Sequence, residues 1–286
     1  MRTRSTPLPL CLLVCLFALL SAGCDAGQSE GTMSTQTTTQ PAALPAADIH
    51  VATEKTSGGD LAIQPINRSS VRFEFQGKQF YVDPSGDADW DRMPKADYIF
   101  VTHEHGDHFD LAAIEKIAQP SATVYTTEAS IKKIEDDRAK FANLPAHIEP
   151  IVAGQITKFS VSDSDTIRSD FTVEAVPAYN VSEAKKNFHP KDRGDVGYVL
   201  TFGDTRVYIA GDTEATPEMK ALKNIDIAFL PCDPRYTMSV EECAAAANVL
   251  QPKIFYPNHQ GPSNPNDVKK LLAGEKGIDV RVLPLP

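Results

Sequence analysis

Tyr98-Ile99-Phe100-Val101-Thr102-His103-Glu104-His105-Gly106-Asp107-His108 runs from an apolar, strand-like segment straight into a loop. Within six residues of that loop fall three of the chain's seven histidines, with Glu104 and Asp107 between them. Imidazole nitrogen and carboxylate oxygen are the ligand types that zinc and other borderline divalent ions favour. In an extended backbone His103 and His105 point to one side and can share an ion, while Asp107 and His108 turn toward a neighbouring position. Two ions fit such a loop. The bland alternative is a surface loop that happens to be rich in histidine. With histidine at only seven of 286 positions, three at this spacing outweigh it.

The H-x-H-x-D-H run from His103 to His108 resembles the signature of the metallo-β-lactamase superfamily of hydrolases. The resemblance implies an α+β fold, a four-layer αββα sandwich, and a centre whose further ligands come from later loops. Asp212, in Gly211-Asp212-Thr213 after the strand-like Arg206–Ala210, looks like the superfamily's metal-bridging aspartate; a helix-capping acid is the alternative. His259, in Asn258-His259-Gln260-Gly261, matches the final histidine. A second Gly-Asp-Thr, at 203–205, sits where Gly-Asp is ordinary turn chemistry. One more ligand is expected after a strand between these points. The segment Glu174-Ala175-Val176-Pro177-Ala178-Tyr179-Asn180 ends in asparagine, and His189 follows nine residues later in Phe188-His189-Pro190-Lys191. His189, Asn180 and water all remain candidates there. Ala175–Asn180, Phe188–Lys191 and Val196-Gly197-Tyr198 together resemble the branch that contains ascorbate-phosphate lactonase-like proteins.

The implied assignment places His103, His105 and His189 on one ion, Asp107, His108 and His259 on the other, and Asp212 between them. Asp107 and Asp212 are the candidate catalytic groups, with Asp107 also placed to handle a proton. The cofactor is a divalent metal, two ions of zinc first, with manganese or iron admitted by the same donors. Such a centre activates water and stabilises an oxyanion. It therefore serves a small-molecule ester, lactone or phosphoester, and a lactonase or phosphoesterase ranks ahead of a β-lactamase. The rival reading is an exported metal- or ligand-binding lipoprotein of the same fold without turnover, for which Asn180 speaks. An iron redox enzyme on this scaffold is a third, and it would call for a flavin partner domain. Asp83-Pro84 resembles a family element that shapes the loop beside the site. Tyr236 is a pocket, rim or core aromatic, and His50 and His147 fall outside any ligand pattern.

Residues 1–23 carry Arg2 and Arg4, an apolar run from Leu8 to Leu20 and the small residues Ser21-Ala22-Gly23 before Cys24. This reads as an export signal resembling a lipobox, with Cys24 taking lipid as the sole membrane contact on the periplasmic or extracellular side. An ordinary secretory cleavage nearby is the alternative. Residues 24–47 are rich in Gly, Ser, Thr, Gln, Ala and Pro and read as a disordered tether. Residues 48–286 fit one hydrolase domain with a sizeable core. The formal charge is −10, and loss of the signal removes two arginines and no acid. That balance argues against nucleic acid as a partner. Cys232 and Cys243 are compatible with a disulfide or with two buried thiols.

Periodicity predicts strands at Leu61–Ile66, Val71–Phe75, Gln79–Val82 and Tyr98–Val101, then a helix capped by Asp110 and stopped before Pro120. Strand Thr123–Thr127, a helix from Glu128, and strands Ile156–Val161 and Phe171–Val176 follow. A hairpin, Gly197–Thr201 with Arg206–Ala210, turns at Gly203-Asp204. The remainder alternates: helix Pro217–Leu222, strand Ile225–Leu230, helix Ser239–Leu250, strand Ile254–Tyr256, helix Asn266–Leu272, strand Val280–Leu283.

Overall fold

The computed structural model describes residues 51–282 apart from 87, 160–161, 164–165 and 168–170. The signal segment, the tether, Cys24 and His50 lie outside the described residues.

One seven-stranded sheet runs in chain order: β1 (Ala52–Thr56), β2 (Gly59–Pro65), β3 (Val71–Phe75), β4 (Lys78–Val82), β5 (Ala96–Phe100), β6 (Ala118–Thr126) and β7 (His147–Pro150). Its first four strands form an antiparallel meander, and β4 to β7 are parallel. The second sheet has the order β16-β15-β14-β13-β12-β11-β8. Its strands are β8 (Ile156–Phe159), β11 (Phe171–Pro177), β12 (Val196–Phe202), β13 (Thr205–Ile209), β14 (Ile227–Pro231), β15 (Ile254–Asn258) and β16 (Asp279–Val280). It too is antiparallel from β8 through β13 and parallel from β13 to β16. A two-stranded ribbon, β9 (Ser162–Asp163) with β10 (Thr166–Ile167), stands apart.

Alternation along the strands sorts the apolar residues into layers. Inward side chains such as Leu61, Phe73, Phe80, Phe100, Phe171, Leu200, Phe202 and Phe229 fill the space between the sheets. Helices α1 (Leu111–Ile117) and α2 (Glu128–Asp137) cover the outer face of the first sheet over Tyr81, Ile99, Val101 and Val124. Helices α3 (Pro217–Ala221), α4 (Val240–Leu250) and α5 (Pro265–Leu271) cover the second over Val199, Tyr208, Leu230 and Phe255. The result is the αββα sandwich.

Local chemistry explains the element ends. The Asp110 side chain accepts from Ala112 N at the start of α1, and Ser239 with Glu242 closes a capping box on α4. The β3–β4 turn puts Gln76 and Gly77 at φ 51° and 76°, the left-handed pair of a two-residue hairpin.

Four strands are absent from the sequence reading: β1, β7 and the short β9 and β10. β1 carries Glu54 and Lys55 on an edge with no buried residue, and β7 is a polar edge strand. Pairing with a neighbour, and the Arg281 Nη1 to Glu54 Oε1 contact of 2.7 Å for β1, form them rather than apolar alternation. β6 begins at Ala118 rather than Thr123, because a register shift against β5 makes room for Pro120 in the strand. The predicted C-terminal strand narrows to β16, with residue 283 outside the described residues. Cys232 and Cys243 are buried free thiols.

The sheets are also tied directly to each other. Tyr198 Oη, from β12, donates to Val101 O at 2.8 Å, and Val196 N donates to Thr102 O at 3.2 Å. Next to them Gly197 has no room for a side chain: a Cβ would lie 2.6 Å from Ala210 O and 2.7 Å from Ile209 O. Both obstacles are backbone, so Gly197→Ala should destabilise the fold by about 1–3 kcal/mol, the usual cost of overpacking. Urea unfolding of the two proteins measures it.

Candidate metal centre

Within the first sheet β4 and β5 run parallel; within the second, β11, β13 and β15 share one direction. Each of these five strands is followed by a residue of the site: Asp83 after β4, His103 to His108 after β5, His189 after β11, Asp212 after β13 and His259 after β15.

The side chains meet. His103 and His105 have ring centroids 4.6 Å apart, and the His189 ring lies 5.3 and 5.1 Å from them. His108 stacks on His259 at 5.1 Å and tilts against His103 at 4.2 Å. Ligand atoms come within 4.8 Å of one another in three sets: His103, His105 and His189; Asp107, His108 and His259; and His103, His108 and Asp212. Asp212 faces both sides. Its Oδ1 is 3.2 Å from His108 Nε2 and 3.5 Å from His259 Nε2, and its Oδ2 is 3.4 Å from His189 Nε2. Asp107 Oδ2 lies 3.1 Å from His259 Nε2.

Hydrogen bonds behind the site set which nitrogen each ring presents. Asp83 Oδ1 accepts from Thr102 N at 2.7 Å, and its Oδ2 accepts from Thr102 Oγ1 at 2.8 Å and contacts His108 Nδ1 at 2.7 Å. Thr102 Oγ1 is in turn 3.0 Å from His103 Nδ1. With protons on both Nδ1 atoms, His103 and His108 turn their Nε2 lone pairs inward, the arrangement that carboxylate–histidine pairs give metal ligands. Those inward atoms are the ones left over: His103 Nε2, His108 Nε2 and Asp212 Oδ1 are buried without a hydrogen-bond partner. A buried polar atom in that state costs about 1–3 kcal/mol, and a cation among them satisfies all three. The donor set, imidazole and carboxylate, suits a divalent ion.

Charge coupling fits the same picture. Burial opposes charge on His108, yet Asp212 and Asp83 on its two sides outweigh that and raise it well above the ordinary histidine range. Burial pushes Asp212 up, but His108 and His259 pull it well below the usual carboxylate range. The hydrogen bond from His259 chiefly lowers Asp107. Burial, then the neighbouring His108, holds His103 well below its ordinary value. For His105 the causes are burial and the Arg193 guanidinium.

Asn180 stands aside from the ligand atoms. Its Nδ2 donates to Tyr236 O at 2.7 Å and Lys185 O at 3.0 Å, which clamps the loop, and its backbone N bonds His189 O at 2.8 Å. Asp83 braces His108, as its place beside the loop suggests, and Tyr236 is 39% exposed and packs on Phe188. His147 is exposed at the start of β7. Two residues went unread in the sequence. Asp195, buried, grips Arg193 through Nε at 2.8 Å and through Nη2, and Arg193 reaches His105 Nε2 at 2.8 Å and His189 Nδ1 at 3.0 Å. Only their position, between His189 and β12, marks them in the sequence.

Residues 65–260 match the family model of the beta-lactamase superfamily domain. The chain belongs to that superfamily. A UPF0173 metal-dependent hydrolase of Listeria monocytogenes is 31% identical over 201 residues, which cover 68% of this chain and 80% of the relative. A crystal structure from Parabacteroides distasonis, named as a metal-dependent hydrolase, shares 38% identity with a TM-score of 0.71, covering 83% of this chain and all of the other. CmlA, a diiron beta-hydroxylase from Streptomyces venezuelae, is 15% identical with a TM-score of 0.54, over 78% of this chain and 53% of its own. That last likeness is one of fold alone. The protein is a metal-dependent hydrolase with His and Asp side chains positioned to bind metal.

Two measurements follow from the wiring of the site. Asp83→Ala frees the His108 ring and should weaken zinc binding by about 10–100-fold, the usual effect of losing an outer partner of a ligand, as read by chelator competition. Protons compete with an ion for the coordinating nitrogens of the histidines, so zinc loading should release protons and weaken as pH falls. Calorimetry in buffers of different ionisation heat detects the released protons.

Proposed function

We propose that the hydrolase holds two divalent ions, zinc first, with His103, His105 and His189 on one side, Asp107, His108 and His259 on the other and Asp212 shared. The observation that carries this reading is the Asp212 carboxylate, which turns one oxygen to His108 and His259 and the other to His189. When bound, such ions lower the pKa of a water toward about 7 and polarise the oxygen that becomes negative in the transition state.

The chain's own groups do the rest. Asp83 and Thr102 hold the rings of His108 and His103 in one orientation, so little rearrangement accompanies reaction. Asp107 is the carboxylate of the set that reaches solvent, with 43% of its side chain exposed, and is the group assigned to handle a proton. Arg68 Nη1, 3.7 Å from Asp107 Oδ2, and Arg193, paired with Asp195, place guanidinium N–H donors near the ligand set. Such donors can bind the oxygens of a small-molecule phosphoester, lactone or ester. The resemblance to lactonase-like proteins points the same way and ranks these above β-lactams.

The test is metal content and turnover of the purified protein against lactone, thioester and phosphodiester panels. Two ions per chain are expected, with one in His189→Ala and two in Asn180→Ala. Turnover should vanish on chelation. In His105→Ala and Asp212→Ala it should fall by more than the roughly 100-fold upper range for outer-shell changes. Tight metal binding with no metal-dependent turnover on any panel would overturn the proposal in favour of a binding protein.

A further inference from the structure

Two exposed aromatic rings stand beside the metal centre, and neither the fold nor the ligand set requires them. Phe188 and Tyr236 are 44% and 39% exposed, with ring centroids 5.1 Å apart at 85°. The Arg235 guanidinium carbon lies 5.2 Å from the centre of the Tyr236 ring. Single exposed apolar residues mean little, whereas two rings packed edge to face at the rim of a site offer a surface to a flat apolar group.

The pair is fastened to both halves of the centre. Phe188 directly precedes His189, and its carbonyl is 3.4 Å from Arg193 Nη1. The Tyr236 carbonyl accepts from buried Asn180, and Lys185 Nζ donates to the next carbonyl, Thr237 O, at 2.6 Å. On the other side the buried Asp233 carboxylate holds Arg235 through Nε at 3.1 Å and Nη2 at 2.8 Å. Asp233 also packs hard against the loop that follows His259: a Cβ on Gly261 would lie 2.0 Å from Asp233 Oδ2. The aromatic pair is therefore fastened to the loops of both His189 and His259.

We infer that Phe188 and Tyr236 form the specificity subsite of this hydrolase. They take a flat aromatic or unsaturated group attached next to the scissile bond, while Arg235, held by Asp233, braces the Tyr236 ring. The inference rests on the metal-centre reading above and names the substrate class for it: esters or phosphoesters with an aryl or similarly planar substituent.

Phenylphosphonate and methylphosphonate test it, because they present the same group to the ions and differ by the ring. Binding of each to the zinc-loaded protein is measured by calorimetry, with zinc content and circular dichroism recorded for every variant. The protein should prefer the phenyl compound by roughly tenfold, within the range of one aromatic contact plus its buried area. That ratio should fall toward one in Phe188→Ala and Tyr236→Ala and be kept in Tyr236→Phe, which retains the ring. A ratio near one in the unaltered protein, or a preference that survives both alanine variants, overturns the subsite and leaves the metal-centre reading standing. Failure of the unaltered protein to take up zinc overturns that reading and the subsite with it.

Discussion

A buried carboxylate, Asp212, faces the rings of His108, His189 and His259 within 3.5 Å, and this convergence is what the surrounding structure is arranged to hold. Lone pairs gathered in one dry place repel and go unsatisfied unless a cation sits among them. The protein tolerates the arrangement because its other contacts are rigid. Asp83 closes hydrogen bonds to Thr102 and His108, Ser70 and Ser85 brace the Asp83 and Asp107 backbones, and His259 N bonds Arg68 O. The ligand loops are therefore parts of one hydrogen-bonded edge.

The fold supplies that edge economically. Each sheet is an antiparallel meander continued by parallel strands, and the parallel part requires helices to cross back over the outer face. Strands that share a direction end at one side, so residues far apart in the chain are delivered to one place. Cross-sheet bonds, Tyr198 Oη to Val101 O and Val196 N to Thr102 O, then fix the two sheets at the point where their loops must meet. The catalytic potential belongs to the loops and the stability to the layers beneath them. A likeness of fold to a diiron hydroxylase at 15% identity therefore carries no statement about reaction.

Positive and aromatic groups at the rim give the site its direction. Arg193 is held by Asp195, Arg235 by Asp233, and each guanidinium is placed by a buried acid rather than left to solvent. Each of these guanidinium charges is balanced by the acid that holds it. Net charge, which argues against nucleic acid, does not describe the mouth of the site.

The amino-acid sequence by itself determined the elements whose signals are local. The apolar run Tyr98–Val101 leading into three histidines, the Asp110 cap, the Ser239 capping box and the Gly203-Asp204 turn are all read from neighbours within a few residues. Polar edge strands such as β1 and β7 were illegible, because pairing rather than composition forms them. The choice between Asn180 and His189 was equally closed to sequence, since a long loop can fold either way. In the tertiary structure Asn180 Nδ2 turns back to Tyr236 O and Lys185 O, while the His189 ring meets His103 and His105. Arg193, the fastening of the aromatic rim and the two-sided placement of Asp212 were decided only there. The physical reason is that hydrogen bonds and close contacts between residues dozens to hundreds of positions apart depend on where strand ends arrive, and no local pattern encodes that arrival.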